Sequence, residues 1–403
     1  MRIAVISPFV DRRHGTERAL AELIERLAAR YGDHIELYAQ RVADLASLRA
    51  DEPSAGQTGT IRWHRVATFP GPHILQFLGW LFLNRQARER NLRKSRERAD
   101  IVFSPGINAL DVDVVLVHAV FHRLAELQTA QQGSGLRGLH RRLYYALLCR
   151  LERRVYGNPR VTLAAVSKHT SAQLEHFFGR RDVTVIPNGV DVEHFAPTAL
   201  ASLRAAERQR WHCAAEQTVL LLIGNDWRNK GLPALLAAMA RCPELPLRLL
   251  VAGQDDQAAF RARAASAGLG ERVEFCSPSE DVRSFYAAAD VLVATSLEDS
   301  FNLPVLEAMA CGLACIVSPR AGVSEWLTHG FDALVLREPE DAGEIAEAIR
   351  VVAGGTQLRR TLAENAMATA KKFSWEEHAA QLRTLIETAA KKKTAAERTV
   401  NAK

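Results

Sequence analysis

No apolar run in this sequence approaches the roughly 20 residues that a membrane-spanning helix needs. The longest is Ile74-Leu-Gln-Phe-Leu-Gly-Trp-Leu-Phe-Leu83, and nothing here is expected to cross a membrane. The opening stretch, Met1-Arg-Ile-Ala-Val-Ile-Ser-Pro-Phe9, lacks the cleavable apolar region of a signal peptide and reads as a short strand followed by charge. Cysteine is scarce and scattered: Cys149, Cys213, Cys242, Cys276, Cys311 and Cys315 show no paired metal spacing. Cys311 and Cys315 stand four apart around Gly312, but without a second pair they do not describe a zinc site. The thiols are expected to be reduced, in a cytoplasmic protein. The first strand is not followed by G-x-G-x-x-G, which argues against a dinucleotide. No period of 20–50 residues marks a tandem repeat.

What is present suits two α/β domains. With 403 residues and 48% hydrophobic content, the chain is long enough for two to three domains with full cores. Its net charge of +6 conceals an asymmetry. Residues 1–190 carry 28 Lys and Arg against 18 Asp and Glu, a balance of +10, whereas residues 191–403 carry 24 against 28, a balance of −4. An anionic partner is therefore expected on the first half. From Arg85 to Arg98, seven basic residues stand beside two acidic ones, directly after the apolar run. An apolar segment followed by a cationic one suits a helix lying on a membrane better than a nucleic-acid reader. The stretch from Ile74 to Arg98 is thus expected to meet an anionic surface on the inner face of the cell membrane, and no nucleic-acid partner is expected.

Along the chain, short β-rich apolar runs alternate with helical ones. Residues 2–7, 35–39, 101–104, 114–118, 161–166 and 183–186 read as buried parallel strands, and 17–29 as an amphipathic helix. This predicts a doubly wound sheet. Pro187-Asn-Gly-Val-Asp191 ends a strand and turns the chain. A second series follows, with strands at 219–223, 248–251, 273–275, 291–294, 314–317 and 333–336 and helices at 232–240, 257–267 and 282–288. The expected domains are 1–187 and 188–373. From Ala389-Ala-Lys-Lys-Lys-Thr394 onward the apolar residues are too few to pack, and 390–403 is expected to be a disordered tail.

One segment gathers most of the chemistry. Asp299-Ser-Phe-Asn-Leu-Pro-Val-Leu-Glu307 runs into Ala308-Met-Ala-Cys-Gly312 and holds two carboxylates eight positions apart across a loop-to-helix junction. Ser300, Phe301 and Asn302 read as a turn, Pro304 suits the first turn of a helix, and Gly312 ends it. The N–H groups just after Asp299 then form a ready anion site. Glu307, about one turn inside, can accept hydrogen bonds from hydroxyls on whatever carries the anion. Phosphate and hydroxyls together describe a sugar nucleotide. The segment resembles the glutamate-x7-glutamate motif of retaining, group 1 GT-B glycosyltransferases. Asp299 stands where that family usually has its first glutamate, and Ser300 and Asn302 stand where it often has glycine. The resemblance covers almost the whole chain. It implies two Rossmann-like, doubly wound domains facing across a cleft, with a terminal helix at about 374–389, after Phe373-Ser-Trp-Glu-Glu377, crossing back to the first.

The resemblance also assigns expectations to particular residues. Arg228 and Lys230, in Gly224-Asn-Asp-Trp-Arg-Asn-Lys-Gly231, follow a strand at the edge where α/β proteins bind ligands. They would grip the diphosphate and stabilise its developing charge. Asp299 would orient the sugar hydroxyls with the N–H groups of Phe301 and Asn302, at the turn that leads into Leu303. Glu307 would bind the ribose, and Gln254 would lie beside the base. His14-Gly-Thr-Glu-Arg18 is similar to the family's glycine-containing loop, with His14 in place of its first glycine. There Gly15 lets the backbone approach donor phosphate, and Thr16 can cap the helix. His118 resembles the family's active-site histidine, which contacts the transferred sugar. Ser167 and Lys168 either face acceptor or phosphate or are ordinary strand-end residues. Asp111-Val-Asp113 spells D-x-D, elsewhere a metal-bound nucleotide-sugar; at a strand entrance, in a fold whose relatives need no metal, two solvated or capping aspartates is the better reading.

The expected activity is therefore a retaining, metal-independent hexosyltransferase without cofactor. It takes a nucleoside-diphosphate sugar, with a UDP-sugar favoured, to a glycan or glycolipid acceptor. The implied mechanism is front-face, the leaving phosphate oxygen taking the acceptor's proton. The loop 224–231 and Val251-Ala-Gly-Gln-Asp255 are most similar to lipopolysaccharide core glucosyltransferases. Two alternatives stay open: a nucleotide-sugar epimerase of the same fold, and a non-catalytic membrane-associated scaffold, which has no need of Arg228, Lys230, Asp299 and Glu307 together.

Overall fold

The computed structural model describes residues 1–13, 15–45, 59–129, 136–276 and 281–401. The chain forms two compact units, Met1–Pro187 with Trp375–Lys403, and Asn188–Ser374.

In chain order the first unit contains β1 (Arg2–Ile6), β2 (Phe9–Val10), α1 (Gly15–Tyr31), β3 (His34–Ala39), β4 (Arg41–Val42), β5 (Thr60–Arg65), α2 (His73–Ser95), β6 (Ile101–Pro105), β7 (Val114–Val117), α3 (Phe121–Thr129), α4 (Leu136–Tyr156), β8 (Thr162–Ala165), α5 (Lys168–Phe178) and β9 (Thr184–Val185). Seven of these strands form one parallel sheet in the order β5-β3-β1-β6-β7-β8-β9, and β2 pairs with β4. The order reverses between β1 and β6. Strands β1 and β7 are covered on both faces, so Ile3, Val5, Val114 and Val115 are all fully buried and the sequence shows continuous apolar runs. The edge strand β5 escapes that pattern. Its Thr-Ile-Arg-Trp-His-Arg is exposed or half-buried throughout.

The C-terminal helix, Trp375–Asn401, belongs to this unit. Ala379, Leu382 and Ile386 recur at helical spacing and are buried. Arg383 pairs with the fully buried Asp33 at 2.9 Å, and Arg26 with Glu376 at 2.8 Å. His378 is buried with its Nδ1 2.8 Å from the Pro187 carbonyl, and burial lowers its pKa to about 4. The expected disordered tail from residue 390 is instead helix through Asn401. Ala, Lys, Glu and Arg are strong helix formers. Lys393 reaches Asp113 at 2.8 Å, and Arg98 reaches Glu397 at 3.3 Å. Propensity and ion pairs extend the helix where core packing ends.

The D-x-D pair is structural. Asp111 takes both arms of the Arg88 guanidinium at 2.7 and 2.9 Å. Burial acts against its charge, yet Arg88 holds its carboxyl below the usual range. Asp113 accepts the Val102 N–H at 2.8 Å as well as Lys393. Helix α2 joins the apolar and basic runs into 23 residues, of which Trp80 and Asn84 are buried.

The second unit contains α6 (Pro197–Arg210), β10 (Thr218–Ile223), α7 (Leu232–Ala240), β11 (Leu247–Ala252), α8 (Gln257–Ser266), β12 (Val273–Cys276), α9 (Arg283–Ala288), β13 (Val291–Ala294), α10 (Leu303–Ala310), β14 (Ala314–Val317), β15 (Leu334–Val335), α11 (Ala342–Gly354) and α12 (Thr356–Ala370). Its parallel sheet runs β12-β11-β10-β13-β14-β15. One face buries Leu220, Leu222, Val251 and Ile316 against Leu235, Met239, Ile345 and Ile349. The strand order reverses between β10 and β13. The connections leaving these two strands diverge, opening a crevice at their carboxyl ends where open α/β sheets take ligands.

Candidate active site

The loops 224–231 and 295–302 leave β10 and β13 at this reversal. Lys230 Nζ lies 2.6 Å from Asp299 Oδ2, with the two side chains 18% and 14% exposed. Sixty-nine positions separate them in sequence; the strand order brings them together. Three hydrogen bonds clip the loops in register. Asn229 Nδ2 donates to the Glu298 carbonyl at 2.9 Å, the Leu297 N–H to the Asn229 carbonyl at 2.7 Å, and the Thr295 hydroxyl to the Lys230 carbonyl at 3.2 Å. Two glycines permit this approach. A Cβ on Gly224, at φ +135°, would lie 2.6 Å from Lys230 Cε, and one on Gly231, at φ +79°, would lie 2.1 Å from the Thr295 carbonyl oxygen. Trp227 anchors the loop. Its side chain is fully buried, and its backbone N–H donates to Asp255 Oδ2 at 2.7 Å. Arg228, next along, is exposed, as is Gln254, whose N–H donates to Asn225 Oδ1 at 2.8 Å.

The second oxygen of Asp299 turns back on its own loop. Oδ1 accepts the Phe301 N–H at 3.1 Å, so the amide expected to face the sugar is held by Asp299. The Phe301 ring is buried, 5.7 Å from Trp326. Asn302 caps α10 in the left-handed conformation, φ +72°, and its Nδ2 donates to Ser296 Oγ at 3.2 Å. Leu303 starts the helix, and Pro304 sits in the first turn, where its missing N–H leaves no gap in the ladder. Glu307 is 3% exposed. Tyr286 Oη, on α9, donates to its Oε2 at 2.6 Å. Neither Tyr286 nor Ser296 lies in a motif that would have marked it in the sequence.

In the first unit, Gly15 opens α1, so Thr16 stands inside the helix rather than at its cap. His14 lies outside the described residues. His118 directly follows β7 and is partly exposed. Ser167 is the N-cap of α5, its hydroxyl accepting the Thr170 N–H at 3.0 Å, and Lys168 is exposed at the helix start. A further group was not anticipated. Glu152, buried on α4, accepts the N–H groups of Phe121 and His122 at 2.6 and 3.0 Å and lies 2.7 Å from His122 Nδ1. Burial pushes its carboxyl up to about 7, and burial and Arg153 hold His122 below its ordinary value. Glu152 thereby fastens the start of α3, and with it one end of the short connection that carries His118.

Comparison with known families places this architecture. A Glycosyltransferase Family 4 model matches residues 13–194, and a model of Glycosyl transferases group 1 matches residues 217–354. Together they span most of the chain, which belongs to the group 1 glycosyltransferases and has the GT-B fold. Among curated relatives it is similar to the lipopolysaccharide glucosyltransferase WaaG of Escherichia coli (strain K12), 28% identical over 208 residues, 51% of this chain and 54% of that protein. It is also similar to the D-inositol 3-phosphate glycosyltransferase of Geodermatophilus obscurus, 31% identical over 284 residues, 65% of this chain and 59% of the relative. The chain spans about half the length of the first of these relatives. Among solved structures, WaaG, a glycosyltransferase involved in lipopolysaccharide biosynthesis, superposes with a TM-score of 0.75 at 22% identity, over 95% of this chain and 99% of its own. Anabaena Alr3699/HepE, in complex with UDP-glucose, gives 0.66 at 18% identity over 98% and 100%. At these identities the likeness concerns the fold. Neither the epimerase nor the scaffold reading gains support from these relatives.

Proposed function

We propose that this protein is a retaining hexosyltransferase that uses a nucleoside-diphosphate sugar, with a UDP-sugar favoured, and needs no metal. The acceptor is a glycan or glycolipid, with lipopolysaccharide core as the leading candidate. The Lys230–Asp299 pair at the strand-order reversal of the second unit carries this reading. Lys230 and the exposed Arg228 supply cations for a diphosphate, and the first turn of α10 adds N–H dipoles. Asp299 accepts sugar hydroxyls, and Glu307, held by Tyr286, accepts those of the ribose. In the reaction the bond from the anomeric carbon to the leaving phosphate oxygen breaks, and the bond to the acceptor oxygen forms on the same face. The acceptor's proton passes to the leaving phosphate oxygen, so the products are the glycoside and the nucleoside diphosphate. Lys230 stabilises the charge that develops on that phosphate. His118 would contact the transferred sugar. The UDP-glucose complex of HepE and the lipopolysaccharide role of WaaG support the choice of donor and acceptor.

A thermal-shift comparison of nucleoside diphosphates and their sugars tests the donor. UDP at a hundred times its Kd should stabilise the fold by about 2.7 kcal/mol, while ADP and GDP at the same concentration should shift Tm less. Nucleoside diphosphate should then be released in quantity when acceptor is added. Equal Tm with and without every nucleotide, or acceptor-independent conversion of one UDP-hexose into another, would count against transfer.

A lipid-borne acceptor fits the first unit. Leu75, Leu78 and Phe82 on α2 and Leu139 and Leu143 on α4 are exposed, and Phe77 packs edge-on to Tyr144 at 6.4 Å, which sets the two helices side by side. Arg85, Arg90 and Arg93 continue along α2. Among the described residues no helix is long and apolar enough to cross a membrane, so the reading is a surface contact on the inner face. The protein should sediment with vesicles containing phosphatidylglycerol, less at high salt. Leu78→Glu with Phe82→Glu, or reversal of Arg85, Arg90 and Arg93, should release it. Arg88 is left out of the reversal because Asp111 holds it. Unchanged sedimentation of both variants would exclude this surface.

A further inference from the structure

A cavity of about 410 Å³ opens in the second unit behind α10, away from the Lys230 loop. Its walls come from α6, the end of α9, the residues Cys311 to Leu313 that close α10, and the first turn of α12. Leu200, Leu313 and the almost wholly buried Tyr286 are among its lining residues, and Arg204, Arg359 and Arg360 stand around it with one carboxylate, Asp290. That carboxylate is already neutralised. It pairs with Arg204 at 2.5 Å and with Arg208 at 3.1 Å, and it accepts the Val219 N–H at 2.8 Å. The cavity therefore keeps the positive charge of Arg359, while Arg360 shares its charge with Glu364 in an exposed pair that an anion can displace at little cost. Arg359 is oriented by a bond from its Nη1 to the Val352 carbonyl at 3.0 Å, while the exposed Arg360 donates from Nε to Glu364 at 3.0 Å. Helix α12 begins at Thr356 after Gly355, which offers no side-chain cap, so its first-turn N–H groups add positive potential. A pocket of this volume suits a small molecule. An apolar body would lie against Leu200 and Leu313, with Tyr286 behind them, and an anionic head at Arg359 and Arg360.

Two of the wall residues also hold Glu307. Tyr286, one of the lining residues, donates its hydroxyl to the Glu307 carboxylate at 2.6 Å, and the N–H of Cys311 donates to the Glu307 carbonyl at 2.9 Å. Displacement of Tyr286 by a molecule in the cavity would move the carboxylate that serves the donor.

We propose that this cavity is a second ligand site, for a small organic phosphate with an apolar body, and that its occupancy is felt by the donor site through Tyr286. The coupling rests on Glu307 serving the donor, whereas the binding does not. Phenyl phosphate is the probe, with inorganic phosphate and phenol as controls, and calorimetry and thermal shift on the full chain as readouts. Phenyl phosphate should bind more tightly than either control. Arg359→Glu with Arg360→Glu should weaken it about tenfold or more without altering the response to UDP alone. Saturating phenyl phosphate should change UDP affinity by about fivefold, and UDP should change phenyl phosphate affinity by the same factor. Tyr286→Phe should keep phenyl phosphate binding but bring that factor toward one. The proposal is overturned if phenyl phosphate fails to bind, if its binding is lost in Lys230→Ala rather than in the arginine variants, or if UDP affinity does not respond. Should UDP itself not bind, the donor reading fails, and the arginine variants still decide whether the cavity holds the phosphate.

Discussion

Replacing Lys230 by Ala should lower kcat/KM for sugar transfer by about a hundredfold to a thousandfold, the range seen when one preorganised stabiliser of developing charge is removed. The reason lies in where the ammonium sits. It is largely buried, 2.6 Å from Asp299, and in such a setting a cation acts on a nearby phosphate far more strongly than in water. The substitution also leaves the Asp299 carboxylate without its cation in a partly buried place, which destabilises the loop. Rate and stability must therefore be read together. Lys230→Arg separates them, because it keeps the charge but alters the reach. Gly224 lies where even a Cβ would meet Lys230 Cε at 2.6 Å, so the chain of Lys230 runs against backbone, and a branched guanidinium should restore the Tm more fully than the rate. Intact transfer in Lys230→Ala, measured as nucleoside diphosphate released per minute, would remove this residue from the mechanism.

The same geometry shows why part of the site was readable from sequence and part was not. Strands with both faces buried announce themselves as apolar runs, and β13 and β14 fall at the residues expected. The 299–312 segment is legible because its turn, its proline and its terminating glycine are local features. Its departures from the family pattern also have local causes. Position 302 requires a positive φ, and asparagine is among the few residues besides glycine that adopt it. At position 299 the short aspartate reaches back to the Phe301 N–H while its other oxygen meets Lys230. Contacts set by tertiary structure were not legible. Tyr286 and Glu152 are buried partners delivered by helices distant in sequence from the groups they hold. The edge strand β5 lacks the buried-strand pattern, and the final turns of the C-terminal helix owe more to ion pairs with Asp113 and Arg98 than to apolar spacing.

Gly231→Ala should destabilise the second unit by about 2–5 kcal/mol, the sum of about 1–2 for a side chain in the left-handed region and about 1–3 for overpacking. Gly231 has φ +79°, and the new methyl would lie 2.1 Å from the Thr295 carbonyl oxygen. That oxygen belongs to the backbone leaving β13 and cannot yield as a flexible side chain would. In a unit of this size the loss corresponds to a Tm lower by about 5–15 °C. Gly224→Ala makes the opposite case. The atom it meets is the far end of Lys230, which can swing aside, so the fold suffers chiefly the strain of φ +135° while the ammonium is displaced from Asp299. Gly268→Ala, at φ +71° with open space around it, isolates the backbone term alone. Scanning calorimetry should therefore rank Gly231→Ala well below Gly268→Ala in Tm, and kinetics should show Gly224→Ala losing transfer out of proportion to its stability. If Gly231→Ala melts with Gly268→Ala, the two loops do not approach as closely as the Lys230–Asp299 pair requires.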